Sequence, residues 1–199
     1  MNRYAIGAMT LLLLSSNPAL ARECNKKPGA GILPYSVTSE GKIKILLAYD
    51  TRGYWSNLAG GRKYILSGNH PKPRCETSQE TAVREGWEES RHLLPKQFLA
   101  SHVNSAATLP AQPKKGDFIT YVFKMENIAL EPFYDNYVVE GSSSDETNAL
   151  FWADLSELRK FANDKKHKII TPNNKPLRPV FWKSFKKSLT DPEVNVFKK

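Results

Sequence analysis

The stretch Glu76 to Leu94, ETSQETAVREGWEESRHLL, constrains this chain more than any other. Thr77-Ser78-Gln79-Glu80 has the form of a capping box, with Thr77 as N-cap and Glu80 reaching back, so a helix over Glu76 to His92 is expected. At about 100° per residue, Glu85, Glu88 and Glu89 share one arc, and Ala82, Val83 and Trp87 form a narrow apolar stripe on the far side. One face is expected to pack and the other to present three carboxylates. Like charges three and four residues apart repel by a few tenths of a kcal/mol per pair. Arg84 lies four residues from both Glu80 and Glu88 and offsets part of this repulsion. A hard divalent cation would offset the rest. Mg2+ takes oxygen ligands, is commonly shared between carboxylates and substrate phosphates, and lowers the pKa of a bound water. The plain alternative is a solvated acidic helix face. In a chain with 29 Lys+Arg against 20 Asp+Glu, three clustered acids are out of character.

Around this segment strands and helices mix without a regular βαβ rhythm. Ala30 to Val37 and Lys42 to Tyr49 read as strands joined by the turn Ser39-Glu40-Gly41. Asp50-Thr51-Arg52-Gly53 signals a loop, and Ser67 to Arg74, with Gly68, Asn69, Pro71 and Pro73, an exposed one. Phe98 to Val103 and Phe118 to Met125 read as strands, and Leu150 to Ala153 as a short buried strand. Leu155 to Phe161 starts a helix. Pro179 to Leu189 is a last helix, with Pro179 in its first turn and Phe181, Phe185 and Leu189 on one stripe. The mixture gives an α+β fold, a mixed β-sheet between helices. A 40% apolar composition suits a packed core. No repeat or long linker divides residues 22–199, which are expected to form a single domain.

Residues 1–21 read as a signal peptide. Arg3 supplies the charged start, Ile6 to Leu14 the apolar run, and Ala19-Leu20-Ala21 the small-x-small cleavage pattern. The run is far shorter than the ~20 residues a membrane span needs, and no later segment is apolar enough to span. The chain is therefore expected to be exported, periplasmic or secreted. An exported chain can form disulfides, and Cys24 and Cys75 are the only two cysteines. A Cys24–Cys75 bridge is favoured over two free thiols.

The helix segment resembles the signature of the Nudix hydrolase family: Gly, five residues, Glu, seven residues, Arg-Glu, an apolar residue, any residue, Glu-Glu, any residue, Gly, apolar. Glu76, Arg84-Glu85 and Glu88-Glu89 match in identity and spacing. YWSNLAGGR resembles the family's approach to this signature, with Ala59 in place of Pro, and GAGILPYS…KIKILLAYD its first two strands. ETNALFWADLSEL resembles the late acidic residue, aromatic strand and helix, so the resemblance covers about Gly29 to Phe161. It departs in three places. His70 stands at the box Gly position, and Gly61 fits only across an insert of about nine residues. Gly86 replaces an apolar residue and Arg91 the closing Gly.

The resemblance implies a Nudix-like α/β/α sandwich. It implies that the Gly60 carbonyl with Glu85, Glu88 and Glu89 holds Mg2+ or Mn2+. It implies that Arg84 orients the glutamates and that Glu76 supports the loop-to-helix geometry. Glu85 and Glu89 would be catalytic together with a late acidic residue, for which Glu146 is preferred over Glu140 and Asp145. The expected activity is metal-dependent hydrolysis of a phosphoanhydride in a small-molecule nucleoside diphosphate derivative. Two rivals stand beside it: a catalytically inactive Nudix-fold nucleotide-binding module, and a basic exported interaction protein with a structural acidic helix. Trp55, Trp87, Trp152 and Trp182 read as core, so nucleic acid is not the expected partner. His70, His92, His102 and His167 show no metal-ligand spacing. Residues 155–199 carry twelve Lys or Arg against four Asp or Glu, a solvated face or a rim that attracts polyphosphates.

Overall fold

The computed structural model describes residues 22–24, 26–65, 73–110, 118–135, 146–163, 172, 174–191 and 196–197. The signal-peptide reading of residues 1–21 falls outside them, as do Glu140 and Asp145. Two long strands carry the centre of the sheet, β1 (Ala30–Val37) and β2 (Ile43–Asp50), antiparallel with Tyr35 opposite Ile45. They then diverge. The free edge of β1 at Ala30–Ile32 is taken by β4 (Leu58–Gly60), and that of β2 at Ala48–Tyr49 by β3 (Trp55–Ser56). The segment Trp55–Gly60 therefore fills a fork between the two strands. Along its other edge β1 pairs in parallel with β8 (Ile119–Lys124), which also pairs with β7 (Ala107–Thr108). The other edge of β2 pairs with β9 (Thr147–Asp154).

Successive residues of these strands alternate between two cores, as pleating requires. Ile32, Leu46, Ala48, Tyr121 and Phe123 face one side. There they meet Ala82 of α1 (Ser78–Glu89), Leu99 and Val103 of α2 (Lys96–Ser105), and Phe133 of α3 (Glu131–Asp135). Leu33, Ile45, Leu47 and Val122 face the other, against Leu155 and Leu158 of α4 (Leu155–Asn163) and Phe181 and Phe185 of α5 (Pro179–Thr190). Because helices cover both faces, the centre of β2 shows no apolar–polar alternation, and Ile45, Leu46 and Leu47 are all buried. The fold is α+β, a mixed sheet between two helical layers.

Two sequence expectations change. Phe98 to Val103 lies in the helix α2 and is not a strand: Pro95 precedes the first turn, and the buried residues are Leu99 and Val103, four apart. Arg74, expected in a loop, belongs to β6 (Arg74–Cys75), which pairs with β5 (Tyr64–Ile65). Residues 67–72 of the expected loop lie outside the described ones. Cys24, fully buried, is disulfide-bonded to Cys75 with a Cα–Cα distance of 5.3 Å. Among the described residues no helix is long and apolar enough to cross a membrane.

The capping box forms as expected. Thr77 Oγ1 accepts from the Glu80 N–H, and Glu80 Oε2 accepts from the Thr77 N–H at 2.8 Å. Arg74 donates to Glu80 at 2.6 Å and, with the cap, holds the Glu80 carboxyl down at about 2. A carboxyl depressed in the fold stabilises above its ordinary value of 4.5, and that stability drains away as the pH falls toward about 2. The pair is only partly buried and solvent screens it, so the loss should be under about 1 kcal/mol. Urea midpoints between pH 5 and pH 2.5 should fall less steeply in Glu80→Gln than in the wild type; equal slopes would remove Glu80 from the account.

Gly86 has a packing reason. A Cβ there would lie 2.5 Å from Ile32 Cδ1 and 3.2 Å from Leu99 Cδ1, so its absence lets α1 sit down on β1. Gly86→Ala gains about 1 kcal/mol of helix propensity but overpacks a core, which costs about 1–3 kcal/mol. We expect a net loss of about 1–2 kcal/mol by urea denaturation, and a more stable variant would contradict this close approach.

Candidate active site

The fork-filling segment brings backbone against the carboxylate arc of α1. The Ala59 N–H donates to Glu89 Oε2 at 2.6 Å. Gly60 lies directly on the Glu85 carboxylate, where any Cβ would collide with it. A side chain at position 60 would displace the Glu85 carboxylate from this place. The arc is therefore not the open face that helical spacing suggested: Glu85 is 8% and Glu89 9% exposed.

Arg84 ties the cluster together. Its Nε and Nη2 donate to the two oxygens of Glu76 at 2.7 and 2.9 Å. Nη1 donates to Glu85 Oε1 at 2.6 Å and to Glu88 Oε2 at 2.9 Å, and Nη2 also to the Gly61 carbonyl at 2.7 Å. Bidentate Arg–carboxylate geometry of this kind fixes orientation as well as charge. Glu76, 6% exposed, is satisfied further by the Lys63 N–H at 2.9 Å and the Thr81 hydroxyl at 3.2 Å. Lys63 Nζ in turn donates to both oxygens of Glu88 at 3.2 Å.

The charges are strongly perturbed. Burial pushes the Glu85 carboxyl up, with Arg84 pulling it back and Glu88 adding to the rise. Burial also drives Glu89 well above its ordinary value, and the charges of Glu85 and Glu146 add to it. Burial alone would lower Arg84, but Glu76 and Glu85 hold it raised. A desolvated carboxylate pair beside a fixed guanidinium is a common signature of a working site. Glu146 lies just before β9; its carbonyl accepts from the Thr51 N–H at 3.0 Å, and its charge reaches Glu89.

Thus Gly60, Glu76, Arg84, Glu85, Glu88 and Glu89 are brought together, with Glu146 at the edge. Among the described residues no three Asp, Glu, His or Cys side chains already form a cage for an ion. Glu85 and Glu88 are drawn to Arg84, and Glu88 also to Lys63. The donor chemistry nevertheless fits a hard divalent cation: the donors are all oxygen, two are desolvated carboxylates in mutual repulsion, and glycine keeps the space beside Glu85 clear of side chain.

The altered signature positions are accommodated in the backbone. Arg91 stands where the box has its closing Gly and adopts φ 48°, a left-handed conformation, with His92 following at 68°. Arg91 Nη2 donates to the Thr147 carbonyl at 2.9 Å, and its guanidinium lies 4.4 Å from the Phe133 ring centroid. The described ends of the insert pair as β5 and β6, and below them the Glu76 N–H donates to the Lys63 carbonyl at 2.9 Å. Sequence reasoning missed Lys63 and the Ala59 N–H. The first follows the Gly-Gly-Arg run beside an insert, and the second carries no side-chain signal. The basic helix α5 lies across the sheet from α1, with Lys183 and Lys187 exposed there.

No protein-family model and no curated relative matches the chain. Solved structures do. A Nudix hydrolase from M. smegmatis, RenU, is similar at 16% identity over 87% of this chain and 90% of that one, with a TM-score of 0.46. The Nudix domain of Shewanella oneidensis NrtR, solved with ADP ribose, is similar at 13% identity over 82% and 88%, with a TM-score of 0.42. A Nudix hydrolase from Alicyclobacillus acidocaldarius is similar at 11% identity over 82% and 90%, with a TM-score of 0.43. All three are Nudix proteins, the family that the signature in α1 resembles.

Proposed function

We propose that the protein is an exported, divalent-metal-dependent hydrolase that cleaves a phosphoanhydride in a nucleoside diphosphate derivative. The observation that carries this reading is the Arg84 clamp, which gathers Glu76, Glu85 and Glu88 on one guanidinium while β4 backbone holds Glu85 and Glu89 in place. Glu85, Glu88, Glu89 and the Gly60 carbonyl would hold Mg2+ or Mn2+. When bound, the ion supplies charge neutralisation at phosphoryl oxygens and a more acidic water.

The chain's own residues do the rest. Arg84 gathers Glu85 and Glu88 on one guanidinium and so orients both carboxylates at the foot of the site. Glu89, buried and held by the Ala59 N–H, is the first candidate base for the attacking water. Glu146, at the edge of the cluster, is the second candidate base. Export is supported by the Cys24–Cys75 disulfide, since such bonds persist in oxidising compartments.

The test is a panel of nucleotide-sugars, dinucleotides, dinucleoside polyphosphates and nucleoside triphosphates, each with Mg2+ and with Mn2+. Metal-dependent release of a nucleoside monophosphate from one class is expected. Tight binding without turnover would instead favour a binding module. Neither binding nor a metal response would leave an interaction protein whose acidic helix is structural.

A further inference from the structure

The cations near the carboxylate cluster differ in how their donors are used. Arg84 spends its donors on Glu76, Glu85, Glu88 and the Gly61 carbonyl. Lys63 is taken by Glu88. Arg62 donates to the carbonyls of Pro28 and Glu76 and to the Ser78 hydroxyl. Arg91 is occupied by the Thr147 carbonyl and the Phe133 ring. Arg178 is the exception. Its guanidinium makes no hydrogen bond among the described residues, and its Nη1 stands 3.8 Å from Asp50 Oδ2, beyond hydrogen-bond reach.

The backbone around Arg178 is nevertheless held firmly. The Trp55 N–H donates to the Pro176 carbonyl at 3.0 Å, and the Arg178 N–H donates to the Trp55 carbonyl at 2.8 Å. The chain thus lies alongside β3, next to the segment that carries Ala59 and Gly60 to the site. Pro179 then begins α5. The guanidinium is about a third exposed, at 35%. Its counter-charge is incomplete: Asp50 Oδ1 accepts from the Arg52 and Tyr54 N–H groups at 3.0 Å each, while Oδ2 is buried without a hydrogen bond. Asp50 also stands at the bulge where β2 meets Thr147, beside Glu146. The field of Arg178 reaches Glu89 and opposes the effect of its burial. So an incompletely paired guanidinium, on backbone tethered to β3, stands beside Asp50 at the β2–β9 bulge, and the next residue, Thr51, donates its N–H to the carbonyl of Glu146 at the edge of the carboxylate cluster.

We infer that Arg178 is a substrate-contacting residue, taking the phosphate oxygens of the nucleoside diphosphate at the rim of the carboxylate site; this rests on the hydrolase reading above. A guanidinium presents a planar fork that matches phosphate, and a polyanion approaching three glutamates needs a cation whose hydrogen-bond donors are still open, as those of Arg178 are beside Asp50. The long contact to Asp50 keeps the fork nearby without filling it. The strongly basic C-terminal region thereby delivers one residue to the site, while the exposed lysines of α5 stay on the far face of the sheet.

The experiment is calorimetric titration of the full chain with ADP in the presence of Mg2+, for wild type and for Arg178→Ala, Arg178→Gln and Arg178→Lys. Loss of one charged hydrogen-bonding partner should weaken ADP about tenfold or more in the Ala and Gln variants. Lys should recover part of the affinity; because Ala and Gln also remove the counter-charge of Asp50, a lowered melting temperature is expected in those two variants and not in Lys. On any substrate turned over, the variants should raise KM and leave kcat nearly intact, whereas a purely structural role would lower the melting temperature and leave ADP affinity and KM of the folded protein as in the wild type. Wild-type affinity in Arg178→Ala, or a wild type that binds no ADP, overturns the inference. The two readings can fail separately. ADP binding through Arg178 without turnover of any substrate sinks the hydrolase alone, and hydrolysis with an unchanged KM in Arg178→Ala sinks the contact alone.

Discussion

Glu89→Gln is expected to reduce hydrolysis by about 10²–10⁴-fold, the usual contribution of a positioned acid or base, while the protein stays folded. The amide keeps the shape, and its oxygen can still accept from the Ala59 N–H, which donates to the carboxylate at 2.6 Å. What is lost is charge. Burial and then Glu85 raise the Glu89 carboxyl, so its ionised form destabilises the metal-free fold. A raised carboxyl carries no penalty below its ordinary value; the penalty grows as pH rises past it. Glu89→Gln should therefore melt higher than wild type at neutral pH and equally at acid pH. Added Mg2+ should raise the wild-type melting temperature and move the variant less, because only a ligand that binds the native state stabilises it. Steady-state turnover and thermal melts from pH 4 to 8 read both effects. A variant that turns over like the wild type would remove Glu89 from the mechanism.

Reducing the Cys24–Cys75 bond should cost about 4 kcal/mol in the chain-entropy model, since the bridge spans 51 residues. It should also reach the site. Cys75 is the last residue of β6 and pairs with Tyr64, and Glu76, next in the chain, is the residue that Arg84 grips with two nitrogens. Reduction is thus expected to raise the Mg2+ concentration needed for half-maximal activity as well as to lower the urea midpoint. Cys24→Ser and Cys75→Ser should each reproduce both changes, with the double variant no worse than either single, because one bond is lost in all three. Two alkylatable thiols in protein taken from an oxidising compartment would refute the bridge and weaken the case for export.

Much of this was legible in the residues. Thr77 and Glu80 announced the start of α1, Pro179 the start of α5, and the apolar runs at Ala30 and Ile43 the central strands. The spacing of Glu76, Arg84, Glu85, Glu88 and Glu89 marked the cluster before any geometry was known. What local pattern could not give was long-range approach. Phe98 to Val103 is a short apolar run that fits either period, and its helical form is decided by the core that Leu99 and Val103 enter. The burial of Glu85 and Glu89 depends on β4, distant in sequence, and on a glycine whose value lies in lacking a side chain. Gly86 looked like a weak point in a helix because its gain is made against Ile32, more than fifty positions earlier. Arg178 gave no signal because its place is set by backbone pairing with Trp55.

The strand pair β5–β6 separates two quantities that sequence comparison normally treats as one, namely the number of residues between a glycine and a glutamate and the distance between them. Once Lys63 and Glu76 are clasped across its base, the ends of the insert stay adjacent whatever lies beyond Ile65 and Arg74. The entropic cost of lengthening a closed loop grows only logarithmically, by about 0.6 kcal/mol per doubling. Selection can therefore alter the insert's length and composition almost independently of the chemistry at its foot. In this architecture the spacing within α1 is fixed by the turn of a helix, while the spacing before it is free to drift.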